Sequence, residues 1–169
     1  MTNNLTVIDF DLLNEISEYA KAHVESSKKH YADRNQSHNY IFHQVLNGKI
    51  AEFSLYYYLK EKNYKLAPPD LKHYAESKKS HSADLVVNNK THLHVKSITL
   101  DSLEKYGISF LVEKNDPEAI NPSDDNFYVI MKQVSFLVYE PHSFVASKSI
   151  SWKAPINRKL VTKLAYYES

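Results

Sequence analysis

The fold is decided by residues 83–99, which read ADLVVNNKTHLHVKSIT. The polar pair Asn88-Asn89 separates two apolar stretches, and asparagine tolerates the positive φ angles of tight hairpin turns. The second arm, residues 91–98, alternates apolar and polar side chains. Because side chains of a strand alternate between its two faces, His94 and Lys96 share one face. We predict a β-hairpin over this stretch.

The segments on either side of the hairpin predict an α/β fold. Apolar residues recur at helical spacing over 8–29 and 40–62, which predicts two N-terminal helices within residues 8–62. Further strands are predicted within 107–147, and a C-terminal helix over 156–167. This order is typical of a central mixed β-sheet flanked by helices. The length of 169 residues fits a single domain spanning 1–169.

The composition excludes several classes of protein. No apolar stretch approaches the roughly 20 residues that cross a bilayer, and the N-terminus lacks the pattern of a secretory signal. We therefore expect a cytoplasmic protein with no membrane partner. The absence of cysteine excludes disulfide scaffolds, thiolate zinc sites and cysteine nucleophiles, and two glycines exclude a glycine-rich phosphate loop. The abundance of lysine, asparagine and tyrosine is typical of AT-rich genomes, which makes a phage or mobile-element gene expressed in a host cell our expectation for the origin.

Three residues of the predicted elements suggest a metal site. Glu52 lies in GKIAEF on the second helix, Asp84 begins the hairpin, and Lys96 lies on its return strand, on the same face as His94. Cross-strand and diagonal neighbours are close enough to share a metal ion, and a helix packed on the hairpin can supply another carboxylate. Such a cluster offers oxygen ligands for Mg²⁺ beside a lysine.

At these residues the chain resembles the PD-(D/E)xK nuclease superfamily, which has the restriction-endonuclease-like fold. In that family a helical glutamate precedes an aspartate and then a Glu-x-Lys motif on the next strand. The resemblance covers roughly residues 40–135 and extends to Ser97, Ser109-Phe110 and Asp116-Pro117. One position departs from the motif, because His94 stands where the second acid is usual.

The resemblance implies a restriction-endonuclease-like core and a divalent-metal-dependent endonuclease that hydrolyses DNA with Mg²⁺ or Mn²⁺. Glu52 and Asp84 would hold the metal, with the carbonyl of Val95 as a further ligand by analogy. Lys96 would orient or activate the attacking water. His94 would be an ancillary ligand or a partner of a metal-bound water, which shifts preference toward Mn²⁺.

Basic residues interleaved with aromatic ones precede and enter the second helix, a pattern that suits phosphate and base contacts. We expect DNA to contact this region, and a homodimer to present one site to each strand. The predicted DNA-binding residues are Lys28, Lys29, Arg34, His38, His43 and Lys49.

Other interpretations of the same residues stay open. Taken alone, Glu52 and Lys96 could be ordinary surface residues and Asp84 an ordinary capping residue. A non-catalytic DNA-binding module that keeps the fold is favoured by His94, and an RNA endonuclease could use the same cluster. A zinc site formed by histidines is a further alternative, with His73, His81, His92 and His94 as its candidates.

Overall fold

A computed structural model describes residues 8–26, 36–72 and 83–168 of the chain. The first helix, α1 (Phe10–Ser26), begins after Asp9, whose carboxylate accepts a hydrogen bond from the backbone N–H of Leu12 at 2.8 Å. Its buried residues recur at helical spacing, so one face of the helix packs on the core. They are Ile16, Ala20 and Val24.

The second helix, α2 (His38–Glu61), packs against α1 and reaches the centre of the molecule. The Ser37 side chain caps its N-terminus by accepting a hydrogen bond from the N–H of Tyr40. All six residues from 50 to 55 are buried, so this turn is enclosed on every side. The structure confirms both predicted N-terminal helices, with boundaries that differ by a few residues.

The predicted hairpin is also confirmed. Strand β1 (Leu85–Val87) pairs antiparallel with β2 (Thr91–Ile98), and Leu85 lies opposite Leu93. The N–H of Lys90 donates to the carbonyl of Val87, and the two asparagines between them have φ angles of 52° and 56°. Asparagine adopts this left-handed conformation more readily than most residues, which explains the position of the turn.

The central sheet has the strand order β1-β2-β4-β5 and is mixed. Strand β4 (Asn126–Ser135) is parallel to β2 and antiparallel to β5 (Val138–Ala146). The connection from β2 to β4 contains α3 (Leu100–Tyr106), β3 (Ser109–Glu113) and the one-turn helix α4 (Pro117–Ile120). A short 3₁₀ turn, Ser147–Ser149, follows β5.

Each face of the central sheet has its own apolar core. On one face, Val129 and Met131 of β4 pack with residues of both long helices, such as Ile50. On the other face, Tyr128 and Ile130 pack with residues of β3 and of the segment that follows β5. Because the side chains of β4 alternate between the two faces of the sheet, this strand packs on a helical layer on one side and on a second β layer on the other.

The C-terminal helix predicted over 156–167 is wrong. Residues Lys163–Tyr167 form a strand, β6, which pairs antiparallel with β3 in a separate two-stranded sheet. The sequence KLAYY has the aromatic residues and the alternation of a strand, and Ala165 is fully buried opposite Leu111. Tertiary pairing with β3 thus prevails over the helical spacing of the apolar residues from 156 onward.

Two helices in the β2–β4 connection were not predicted. Helix α3 begins at the Thr99 cap and ends at Gly107, whose φ of 65° is the left-handed conformation that favours glycine. Helix α4 begins at the Asp116 cap, with Pro117 in its first turn.

At the coarse level, an α/β protein with a mixed sheet flanked by helices is confirmed. None of the helices in the described part of the chain is long and apolar enough to cross a membrane.

Candidate functional site

Asp84 lies at the outer edge of the sheet, immediately before β1. Continuing the register of the hairpin places it opposite His94. Its Oδ2 atom accepts a hydrogen bond from the N–H of Val95 at 2.7 Å. Because the N–H and C=O of one strand residue point to the same side of the strand, the carbonyl of Val95 faces the same side as its N–H. The carboxylate and this carbonyl therefore share one edge of the sheet.

The edge of β2 beyond Asp84 is open. Strand β1 pairs only with residues 91–93, so no described strand lies beside residues 94–98 on that side. The short first strand thus leaves the backbone edge of residues 94–98 without a partner strand among the described residues.

His94 and Lys96 lie on the face of the sheet that carries Tyr128. The Lys96 ammonium is 5.6 Å from the centre of the Tyr128 ring, and the His94 ring centre is 5.6 Å from the same ring. Burial lowers the pKa of Lys96, although the negative charges of Asp84 and Asp116 oppose this effect. Burial also lowers the pKa of His94, so its neutral form is favoured.

Glu52 approaches Asp84 from the helical layer. Its side chain is buried and forms an ion pair with Lys49, whose Nζ atom is 2.6 Å from the carboxylate. Burial, and then the charge of Asp84, raise the pKa of Glu52 to about 8, against the opposing effect of Lys49. The Lys49 ammonium also lies 5.3 Å from the centre of the Tyr19 ring.

Asp84 is the residue that links the predicted site. Its charge acts on the pKa of Glu52 and on the pKa values of His94 and Lys96. Glu52 itself belongs to the helical layer, whereas Lys96 belongs to the Tyr128 face. Among the described residues, no group of three or more acidic or histidine side chains is arranged to hold a metal ion. The predicted site residues thus lie near one edge of the sheet but do not form a complete set of metal ligands.

Two acidic residues near His94 were not predicted as site residues. The Glu118 carboxylate is 4.0 Å from Nε2 of His94, and Nε2 has no hydrogen-bond partner in the described part of the chain. Asp116, whose Oδ1 atom is 3.5 Å from the Tyr128 hydroxyl, acts on the pKa of Lys96. The pair Asp116-Pro117 belongs to the resemblance described above, which assigned no role to Asp116 or Glu118.

The predicted DNA-binding residues are only partly described. Lys28, Lys29 and Arg34 lie outside the described residues, while His38 and His43 are exposed near the start of α2. Lys49 faces Glu52 rather than solvent, with 15% of its side chain exposed. Of the zinc candidates, His73 and His81 lie outside the described residues and His92 is exposed.

A groove of about 1100 Å³ runs along the open edge of β2. Residues near the start of α2, including Tyr40 and His43, line one side, and residues of α3, β3 and the segment near 156 line the other. Val95 and Lys96 belong to its wall. The groove therefore reaches Val95 and Lys96, whereas Glu52, Asp84 and His94 do not belong to its lining.

Comparison of the chain with protein-family models, curated proteins and solved structures finds no match.

Proposed function

We propose that this protein is a divalent-metal-dependent endonuclease that hydrolyses DNA phosphodiester bonds. One observation carries the proposal: the Asp84 carboxylate meets the backbone of Val95 at an open strand edge, with Lys96 next in the chain and lining an adjoining groove. An acidic oxygen, a backbone carbonyl and a lysine beside an accessible groove are the parts that metal-assisted phosphodiester hydrolysis requires.

The proposed metal ligands are oxygen atoms, which suits Mg²⁺ or Mn²⁺. Asp84 and the Val95 carbonyl would hold the ion, and Glu52 would join them after leaving its ion pair with Lys49. His94 would contact the ion or one of its water ligands through a neutral ring nitrogen. When bound, the metal would lower the pKa of a water molecule and neutralise charge on a phosphate oxygen.

Lys96 is the residue proposed to act on the reacting groups. Its lowered pKa lets it exchange a proton more readily than an exposed lysine, and the Tyr128 ring restricts its position. From there it would orient the attacking water or stabilise charge on the phosphoryl oxygens. The water oxygen bonds to phosphorus, the bond from phosphorus to the 3′ oxygen breaks, and that oxygen takes up a proton, which yields a 5′-phosphate and a 3′-hydroxyl.

The first test compares Lys96→Met with Lys90→Met. Lys90 is an exposed lysine of the same hairpin and serves as the matched control. Supercoiled plasmid and circular single-stranded DNA are incubated with each protein in Mg²⁺ or Mn²⁺. We expect cleavage by the wild type and by Lys90→Met, and a loss of at least a hundredfold in Lys96→Met. Equal cleavage by all three proteins would refute the proposed role of Lys96.

A second variant, Asp84→Asn, tests the metal site without removing a structural hydrogen bond. The amide oxygen can still accept from the N–H of Val95, so the hairpin should fold. We expect this variant to lose cleavage and to require far more metal for any activity that remains. Retention of full activity at low metal concentration would exclude Asp84 as a ligand.

A second candidate function is a non-catalytic DNA-binding module, and two observations favour it. Glu52 is engaged by Lys49, and His94 replaces a carboxylate. DNA binding without cleavage of DNA in either metal would support this alternative, and cleavage of RNA alone would identify an RNA endonuclease.

The proposed homodimer is tested by sedimentation. Cleavage by a dimer should give linear plasmid, whereas cleavage by a monomer should give nicked circles.

A further inference from the structure

The described lining of the groove beside Lys96 has few charged side chains. Among the described residues that line it, Lys96 and His43 are the basic side chains and Asp101 is the acidic one. Double-stranded DNA presents about one negative charge per 1.7 Å of its axis, and proteins that hold it neutralise several phosphates with lysine and arginine. Among the described lining residues, one lysine and one histidine do not provide that neutralisation for a duplex, whereas a single strand carries half that charge per unit length.

Aromatic side chains are prominent in the same groove. Tyr40, Tyr106 and Phe136 line it and are 50%, 52% and 83% exposed. Exposed aromatic rings are the surfaces on which unpaired bases stack, and they favour no particular base. The three rings come from α2, from α3 and from the turn between β4 and β5.

Amide side chains complete the lining. Gln44 and Asn47 project from α2, Gln133 comes from β4, and Asn157 comes from the segment before β6. Gln44, Gln133 and Asn157 each use one polar atom in a hydrogen bond within the protein. An amide has further donor and acceptor sites, which can pair with the edges of bases that are not already paired in a duplex. A groove lined by rings and amides thus matches the chemistry of exposed bases rather than that of a duplex backbone.

We propose that the groove binds an unpaired strand of nucleic acid, with bases stacked on Tyr40, Tyr106 and Phe136. This inference rests on the proposed nuclease function and names its substrate class, since Lys96 lies in the groove wall. The preferred substrates are then single strands, or junctions at which a strand leaves the duplex, and intact duplex is a poor one.

The test measures binding rather than cleavage. Fluorescence anisotropy is recorded for the full chain in EDTA, with a labelled single-stranded DNA, a single-stranded RNA and a blunt DNA duplex of equal length. We expect the single-stranded DNA to bind at least tenfold more tightly than the duplex. The RNA arm tells whether the groove accepts either type of strand. Tighter binding of the duplex, or no binding of any of the three, overturns the inference.

Matched aromatic substitutions locate the binding surface. Phe136→Ala and Tyr40→Ala remove rings from the groove, whereas Phe144→Ala and Tyr64→Ala remove rings of 46% and 45% exposure outside it. Loss of one stacked base corresponds to about a five- to 150-fold weaker affinity. We expect this loss only in the two groove variants, and recovery in Tyr40→Phe. Circular dichroism verifies the folding of each variant, and equal affinities across all of them overturn the inference.

The two proposals fail in distinguishable ways. Selective binding of single strands without any cleavage in metal leaves the groove assignment standing and refutes the nuclease. Cleavage that prefers duplex, with unchanged activity in the groove variants, refutes the groove assignment alone.

Discussion

Glu52 should make the stability of this protein depend on pH in an unusual direction. Burial raises its pKa from 4.5 to about 8, so at neutral pH the folded protein retains a proton that the unfolded chain has released. Stability is then lost as the pH rises from 4.5 toward 8, because ionisation of the buried carboxyl opposes folding. Linkage converts this pKa difference into a loss of about 2 kcal/mol between pH 6 and pH 8.

The assay is urea unfolding at pH 6, 7 and 8 in EDTA, followed by the fluorescence of Trp152, the one tryptophan of the chain. Glu52→Gln removes the ionisable group, so its stability should fall by about 2 kcal/mol less than that of the wild type over this range. The comparison uses the pH dependence rather than the absolute stability, because the substitution also removes the partner of Lys49. Glu61→Gln, at the exposed end of the same helix, is the control and should behave as the wild type.

Parallel pH profiles for the wild type and Glu52→Gln would refute this reasoning. Such a result would mean that the ion pair with Lys49 offsets the cost of burying the charge, and that Glu52 is ionised throughout the neutral range. A shift of the control by the same amount as Glu52→Gln would attribute the effect to net charge instead of burial.

Three further outcomes follow from the site and its supports. Tyr128→Ala should lower the free energy of unfolding by about 3–5 kcal/mol, whereas Tyr128→Phe, which keeps the buried ring, should cost under about 1.5 kcal/mol; both are measured by urea unfolding. Burial lowers the pKa of His94, so the unfolded chain binds the proton more readily, and stability should fall as the pH drops below about 6.5. His94→Gln should remove this part of the acid dependence in the same titration, and an unchanged profile would assign the effect to another group. Lys163→Met, which breaks a partly exposed ion pair with Glu113 between β3 and β6, should cost under about 1 kcal/mol in urea unfolding, and a larger loss would show that the pair is not a surface contact.

The elements that could be predicted from sequence depend on local spacing. Both long helices and the hairpin follow from periodicities that repeat within a few residues, and the turn follows from two adjacent asparagines. Strand β6 could not be predicted in the same way, because its partner β3 lies far away in the chain and only their pairing selects the extended conformation over a helix.

In the candidate site, too, only the features that depend on local spacing could be predicted from the sequence. The position of Asp84 opposite His94 follows from the hairpin register, and Lys49 and Glu52 share a helix face because they are three residues apart. The burial of Glu52 near Asp84 depends on how α2 packs on the sheet. The neighbourhood of Glu118 and His94 depends on the helices between β2 and β4. Neither arrangement is encoded by spacing within one element.

The parallel pairing of β2 with β4 also has a consequence for folding kinetics. The two hairpins of the central sheet, β1-β2 and β4-β5, close over a few residues and can form early. Residues 99–125 lie between β2 and β4, so the pairing of these two strands joins residues that are far apart in the sequence. Such long-range pairing is a slow step in folding. Lys96 reaches the Tyr128 ring only when this step is complete. We therefore expect the hairpin that carries Asp84 and Lys96 to acquire its strand geometry early, and the pKa of Lys96 to be lowered only late.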